Sequence, residues 1–321
     1  MLVCLAFEEC QLLTSLAGLA LGTFKTPRKL GLVMIFATGS LAMLVTNDVA
    51  LLTVVPLTMM MAKLSRKDPF MLIILETMSA NIFSALTPFG NPQNLYLYSY
   101  FKIPFLKFFS IMLPFGLFGA VLMGLINLLF NKGDSYKVEI QQPKIQNKKL
   151  LYGASVIFLL NILSVFRIMD YRIVFVATLL LFLCLAPRLI IKIDYLLLLT
   201  FVLFFLFTNS VIGIPLIRTF LAGVLNSKLN VLLFSAGLSQ IISNVPAAVL
   251  ISGFTKFYKE VLYGVSAGGL GTLIASLASF ISYRLYIVEY KPRKYMKVFS
   301  LLNFGALIIL MAALIVIDLL F

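Results

Sequence analysis

The chain has 321 residues, 61% hydrophobic and 12% charged, with a formal net charge of +14. Soluble domains run at about 45–50% apolar and about 25% charged, so this chain lacks the polar surface to cover its apolar side chains in water. Histidine is absent and no two of the 3 cysteines form a CxxC pair, which removes Ser-His and Cys-His nucleophiles, His-ligated metal and any zinc or disulfide framework, and with them the usual equipment of an enzyme.

The composition reads as an all-α polytopic membrane protein, with a mean hydropathy of +1.06. A span needs about 20 apolar residues. Candidates fall near 1–24, 69–101, 105–130, 150–166, 171–187, 195–212, 261–283 and 298–320. The first carries Glu8 and Glu9 without a basic start, so it is not a signal peptide. The positive charge sits in short runs between apolar stretches, which is a membrane pattern and not a nucleic-acid one.

Two stretches do not fit as simple spans. Leu30 to Ala62 runs 33 residues without Lys or Arg, with the polar centre Thr46-Asn47-Asp48. Lys25, Arg28 and Lys29 precede it and Lys63, Arg66 and Lys67 follow it, so both ends belong in the cytoplasm. A re-entrant hairpin satisfies this, with two legs of about 16 residues reaching about 24 Å each. Leu229 to Thr255, centred on Ser243-Asn244-Val245-Pro246, reads as the same device entering from the opposite side.

Orienting the first hairpin this way places 18 of the 26 Lys and Arg on the cytoplasmic side and 8 outside. The C-terminus is then outside and the polar connection 131–149 is a cytoplasmic linker. It separates a first repeat, 1–130, from a second, 150–321. Because the hairpins enter from opposite faces, the repeat is inverted. The first repeat lacks the two leading helices of the second, so the chain is expected to begin inside it.

Each hairpin is followed by a span that should be broken. In Ser79 to Asn94, Pro88, Gly90 and Pro92 cannot continue a regular helix, and unwinding is expected from Thr87 to Asn94. In Gly264 to Ser279, Gly268, Gly269 and Gly271 with Thr272 and Ser276 mark a weaker counterpart. Helix N-termini at the hairpin tips offer unpaired N–H groups to an anion. Unwound carbonyls at Gly90 and Gly271, with the Asn47 and Asn244 amides, offer oxygens to Na⁺. Asp48 marks an ion or proton path, a carboxylate at this depth being expensive, or else caps the returning helix. Glu76 reads equally as an interhelix hydrogen bond.

These motifs resemble the ion transporter superfamily, which includes divalent-anion/sodium symporters, citrate-transporter-like permeases, arsenite permeases and a class of sodium/proton antiporters. "TNDVALLTVVPLT" and "TPFGNPQN" are similar to its first hairpin tip and the loop that follows; "SNVPAAVL" and "GGLGTLIASLAS" are similar to the second-half partners. Asp48 stands where the dicarboxylate branch tends to have Thr, and Val245 stands third in the second motif. The resemblance implies a carrier, usually homodimeric, in which scaffold helices hold a mobile transport domain. It implies that Thr46, Asn47, Thr87, Pro88 and Asn91 line one half of a small-anion site, and Ser243, Asn244, Thr272 and Ser276 the other. The expected activity is secondary transport in the cell membrane, coupled to Na⁺ or H⁺ with no other cofactor. A di- or tricarboxylate is the first choice of anion, and an inorganic oxyanion or arsenite the second. Cation/proton antiport and a non-transporting scaffold are the alternatives.

Overall fold

The computed structural model describes residues 1–12, 15, 26–65, 68–131, 145–166, 168–193 and 195–320. Those residues form helices joined by short connections. α1 is Leu2–Glu9, α2 Pro27–Leu44, α3 Asn47–Ser65, α4 Phe70–Ser84, α5 Pro92–Tyr100 and α6 Phe105–Phe130. α7 is Lys148–Val165, α8 Tyr171–Leu185, α9 Pro187–Ile191, α10 Tyr195–Ile212 and α11 Pro215–Val224. α12 is Lys228–Ile242, α13 Asn244–Ser252, α14 Tyr258–Gly268, α15 Leu277–Ile287 and α16 Pro292–Leu320. Among the described residues, 4 helices are long and apolar enough to cross a membrane: α2, α6, α7 and α16 as far as Ile317.

Proline sets many of the helix starts. Pro27, Pro92, Pro187 and Pro215 occupy the first turn of α2, α5, α9 and α11, where a missing N–H leaves nothing unpaired. Side-chain caps set others: Asp170 accepts from Arg172 N at 2.7 Å and Ser227 accepts from Asn230 N at 3.3 Å.

Two stretches behave unlike continuous spans. α2 and α3 pack on each other, joined at Val45-Thr46, and α12 and α13 do the same, joined at Ser243. The joining residues Thr46 and Ser243 have φ of 135° and 74°, a region that non-glycine residues rarely enter. Then α4 stops at Ser84 and helix resumes with α5 at Pro92, while α14 stops at Gly268 and helix resumes with α15 at Leu277. The first interruption starts earlier than Thr87 and ends at Asn91, because Asn91 accepts from Asn94 N at 3.0 Å and so starts α5 itself.

The packing relations come in pairs. α2 lies along α4 and α12 along α14; α3 meets α4 and α13 meets α14; α4 meets α6 and α14 meets α16. Across the molecule α3 packs on α15 and α13 on α5, α15 on α4 and α5 on α14, α16 on α4 and α6 on α14. Helices α1, α7, α8 and α9 contact one another instead, with α1 on α7 and α9, α7 on α8, and α9 on α8.

The start of the chain differs from a single span over 1–24. α1 has 8 residues, which rise only about 12 Å. After it the chain turns at Cys10 and Gln11, whose φ is 58°. There Glu9 pairs with Lys192 at 3.4 Å and Cys10 O accepts from Gln146 N at 3.0 Å. The polar run Glu8-Glu9-Cys10-Gln11 ends the helix; residues 13–14 and 16–25 lie outside the described residues. α11 was not expected: its ten residues sit in a stretch too short and too mixed to read as a span. Most of the linker, 132–144, is also outside the described residues.

Close helix approach rests on small residues, as is usual between membrane helices. A Cβ on Gly264 of α14 would stand 2.6 Å from the Leu232 carbonyl oxygen of α12 and 2.5 Å from Ser235 Cβ. Gly264→Val should therefore part α12 from α14 and destabilise the protein by about 1–3 kcal/mol. A lowered melting temperature in detergent is the check; an unchanged one would mean that α12 yields freely.

Candidate binding site

The first interruption closes onto the first helix–helix joint. Asn47 N–H donates to Gly90 O at 3.0 Å, and Thr87 Oγ1 donates to Met43 O at 2.8 Å. A Cβ on Gly90 would fall 2.2 Å from Ser84 O, so only glycine lets this loop fold back so tightly. The second interruption repeats the arrangement. Asn244 N–H donates to Ala275 O at 3.0 Å, and Thr272 Oγ1 donates to Gln240 O at 3.0 Å.

The two interruptions are bridged by one side chain, Asn81 of α4. Its Oδ1 accepts from Asn47 Nδ2 at 3.2 Å and from Ser276 Oγ at 2.9 Å. Its Nδ2 donates to Ser279 Oγ at 3.1 Å and to Gly269 O at 3.5 Å. Gly269 in turn lies under Asn244, whose Nδ2 would be 2.9 Å from an added Cβ. Asn47, Asn81, Asn244 and Ser276 are all at least 95% buried. In membrane helices such amides hold neighbours together by hydrogen bonds, and here the chain Asn47–Asn81–Ser276 runs from one half to the other.

A family model described as Citrate transporter matches residues 1–256. The chain belongs to the citrate transporter family. It is 36% identical over 297 residues to an uncharacterized transporter of Methanocaldococcus jannaschii, covering 92% of this chain and 81% of that one. It is 32% identical over 268 residues to the inner membrane protein YbiR of Escherichia coli K12, covering 82% of this chain and 71% of that one. The protein is thus a multi-pass membrane transporter and not an enzyme. The family match takes in both helix joints and the first interruption, and stops before Gly268–Ser276.

Within this citrate-family transporter the expected residues divide into groups. Thr46, Asn47, Thr87, Gly90 and Asn91 gather at the first interruption, and Ser276 joins them through Asn81. Asn91 Nδ2 donates to Ser84 Oγ at 3.2 Å, so it holds the interruption from behind. Pro88 is buried within the first interruption. Ser243 Oγ donates to Ala275 O at 3.3 Å. Thr272 and Gly271 face Gln240 instead. Asp48 gives its N–H to Asn47 Oδ1 at 3.0 Å, while its Oδ1 is sealed without a partner among the described residues. Free N–H groups at the tip of α3 were expected and are not found: Asn47, Asp48 and Ala50 each donate within the protein. By contrast α13 and α15 start without a side-chain cap.

Two functional residues escaped sequence reasoning. Asn81 is a lone amide in an apolar helix, nine residues before Gly90, and lone amides there are usually simple helix contacts. Gln240 of α12 is the other. Its Nε2 donates to Gly268 O at 2.7 Å and Leu270 O at 3.0 Å, and its Oε1 accepts from Thr272 N at 2.9 Å. Gly271 between them has φ 104°, and a Cβ there would sit 2.2 Å from Gln240 Oε1. A cavity of about 860 Å³ lies on the far side of the first joint, between Val45, Phe89, Phe158 and Val174. It is mainly apolar and none of the expected site residues lines it.

Gln240→Leu leaves buried backbone groups at Gly268, Leu270 and Thr272 without partners. Each such group is worth about 1–3 kcal/mol, so the variant should melt several degrees lower, and proteinase K, which needs no Lys or Arg, should cut the 268–276 loop faster. Unchanged melting and proteolysis would show that the loop holds its shape unaided.

Proposed function

We propose that this citrate-family protein is a secondary active carrier of a small anion, first a di- or tricarboxylate, working by alternating access and coupled to Na⁺ or H⁺. In this reading α2–α6 and α12–α16 are the cores of two inverted repeats. α2–α3 and α12–α13 are hairpins re-entering from opposite faces, with the 131–149 linker in the cytoplasm and the C-terminus outside. The observation that carries it is the duplicated bond from hairpin to interruption, Asn47 N–H to Gly90 O and Asn244 N–H to Ala275 O. Irregular backbone at membrane depth is tolerated only when buried in protein or lining a cavity. Two such breaks, facing each other and joined by Asn81, are the usual makings of a midplane site.

The anion then meets the start of α15, whose N–H groups no side chain caps, and the Val245 N–H of α13, where Asn244 N–H is already given to Ala275 O and Pro246 has none. About +0.5 of an elementary charge resides at such an end. No Lys or Arg occurs in 79–94 or 264–279 to compete. For Na⁺, the Gly90 and Ala275 carbonyls each keep a second lone pair, and Asn47, whose N–H meets Gly90 O, and Asp48 after it bring an amide oxygen and a carboxylate on the start of α3. A di- or tricarboxylate is favoured by the family's description.

Reconstituted in liposomes, the protein should take up labelled citrate or succinate against an imposed Na⁺ or pH gradient. Asn47→Ala and Asn244→Ala each remove an amide that touches charged ligand, worth about 1.5–3 kcal/mol, or roughly 10- to 150-fold in affinity. Both should raise the substrate concentration needed for uptake while still folding in detergent. Asp48→Asn should alter the dependence on Na⁺ or pH more than the choice of anion. Full activity in both Asn variants would make the joints structural and end this assignment.

A further inference from the structure

Glu76 is a carboxyl for which the hairpin–interruption units have no use. It lies on α4 with 0% exposure. Its Oε1 accepts from Thr58 Oγ1 of α3 at 2.6 Å, and its Oε2 is sealed from solvent with no partner among the described residues. The neighbouring Thr77 Oγ1 donates to Ser282 Oγ of α15 at 2.7 Å. One side chain thus stands where the second leg of the first helix pair, the broken helix and the second half meet.

Among the described residues no cation faces it from the helices packed on α4: Arg293 and Lys297 of α16 are exposed, and Lys259 of α14 lies over the Tyr263 ring. Lys63 of α3 pairs with Glu289 at 2.6 Å. On α15, Arg284 lies over the Phe280 ring. Lys294 of α16 lies over the Phe70 ring at 4.2 Å, at the start of α4 and six residues before Glu76. Arg28 and Lys29 of α2 are exposed at its start. Lys107 of α6 lies over the Tyr258 ring, and Glu260 of α14 faces Lys228 at 4.0 Å. Asp48, the acid of α3, is ten residues from Thr58, about 15 Å along the helix. The titratable group of α16 on this side is Tyr295, whose buried hydroxyl lies beside those of Thr77 and Ser282 and is not hydrogen-bonded to Glu76. Its ring stacks on Tyr286 at 4.7 Å, and Tyr286 Oη donates to exposed Asp68 at 3.0 Å.

An ionised carboxyl sealed from water with no cation is costly, and in membrane proteins such groups mark ion or proton paths. We propose that Glu76 is a proton-binding site, and that the bound proton latches α3 onto α4. The proton resides on Oε2, the oxygen without a partner among the described residues, and Thr58 holds Oε1. Its release to solution leaves a carboxylate that must be hydrated, which loosens α3 from α4. This names H⁺ among the coupling ions left open above and depends on that reading only for its effect on transport.

The test uses the full chain in detergent, with melting temperature followed from mildly acidic to mildly alkaline pH, with and without Na⁺, beside infrared pH-difference spectra. Wild type should lose stability as pH rises, because the folded form holds the proton. Glu76→Gln, neutral throughout, should melt independently of pH across that step, and a protonated-carboxyl C=O band should vanish from its spectrum. Thr58→Val removes a donor that favours the ionised form, so it should move the midpoint to higher pH; it also decides the matter if Glu76→Gln does not fold. Equal titration in wild type and Glu76→Gln would overturn the proposal, as would an unmoved midpoint in Thr58→Val. Restoration of alkaline stability by Na⁺ would overturn it too, making this a cation site. Failure of citrate uptake in every form would count against the carrier reading alone and leave the titration standing.

Discussion

Backbone that leaves the helix inside an apolar protein must find its hydrogen bonds there, since no water is at hand to supply them. This requirement organises the centre of the molecule. Each interruption gives a carbonyl, Gly90 or Ala275, to the N–H that starts the adjoining helix. Each also sends a threonine, Thr87 or Thr272, back to a carbonyl in the last turn of the helix before the joint, Met43 or Gln240. Neither interruption could form without its joint, nor either joint without its interruption. Asn81 then ties the first pair to the second with four hydrogen bonds from one amide.

The two halves meet this requirement by different means. In the first, Pro88 and Pro92 restrict the chain, Asn91 caps α5, and Asn47 and Thr46 close the start of α3 with their own side chains. In the second, the prolines are replaced by Gly268, Gly269 and Gly271, which gain conformational freedom and lose rigidity. Gln240 compensates, holding three backbone groups of the loop from the neighbouring helix. Ser276 turns its hydroxyl to Asn81, so it does not cap α15. The first half is therefore closed on itself. The second keeps two helix starts unoccupied by side chains.

Much of this was legible in the sequence, for identifiable reasons. The joint near Thr46 could be read because 30–62 is too long for one span and too short for two. The first interruption could be read because proline and glycine act locally. The second was fainter, because glycine in a membrane helix also serves plain packing, as Gly264 does against Leu232. The amides were harder. Asn81 and Gln240 earn their roles only through partners 195 and 32 residues away, and nothing local distinguishes them from ordinary helix contacts. The opening segment misled because apolar content is blind to a turn: Glu8 to Gln11 end α1 within a stretch that averages as a span.

The central claim is that the two interruptions act as one site because Asn81 joins them. A double-mutant cycle tests it most directly, with Asn47→Ala and Ser276→Ala compared singly and together for the rise in melting temperature produced by citrate. If one amide serves both, each single variant already disrupts the shared network, and the pair should lose little more than the worse single. Losses that simply add would show that the two halves bind independently and would contradict the account.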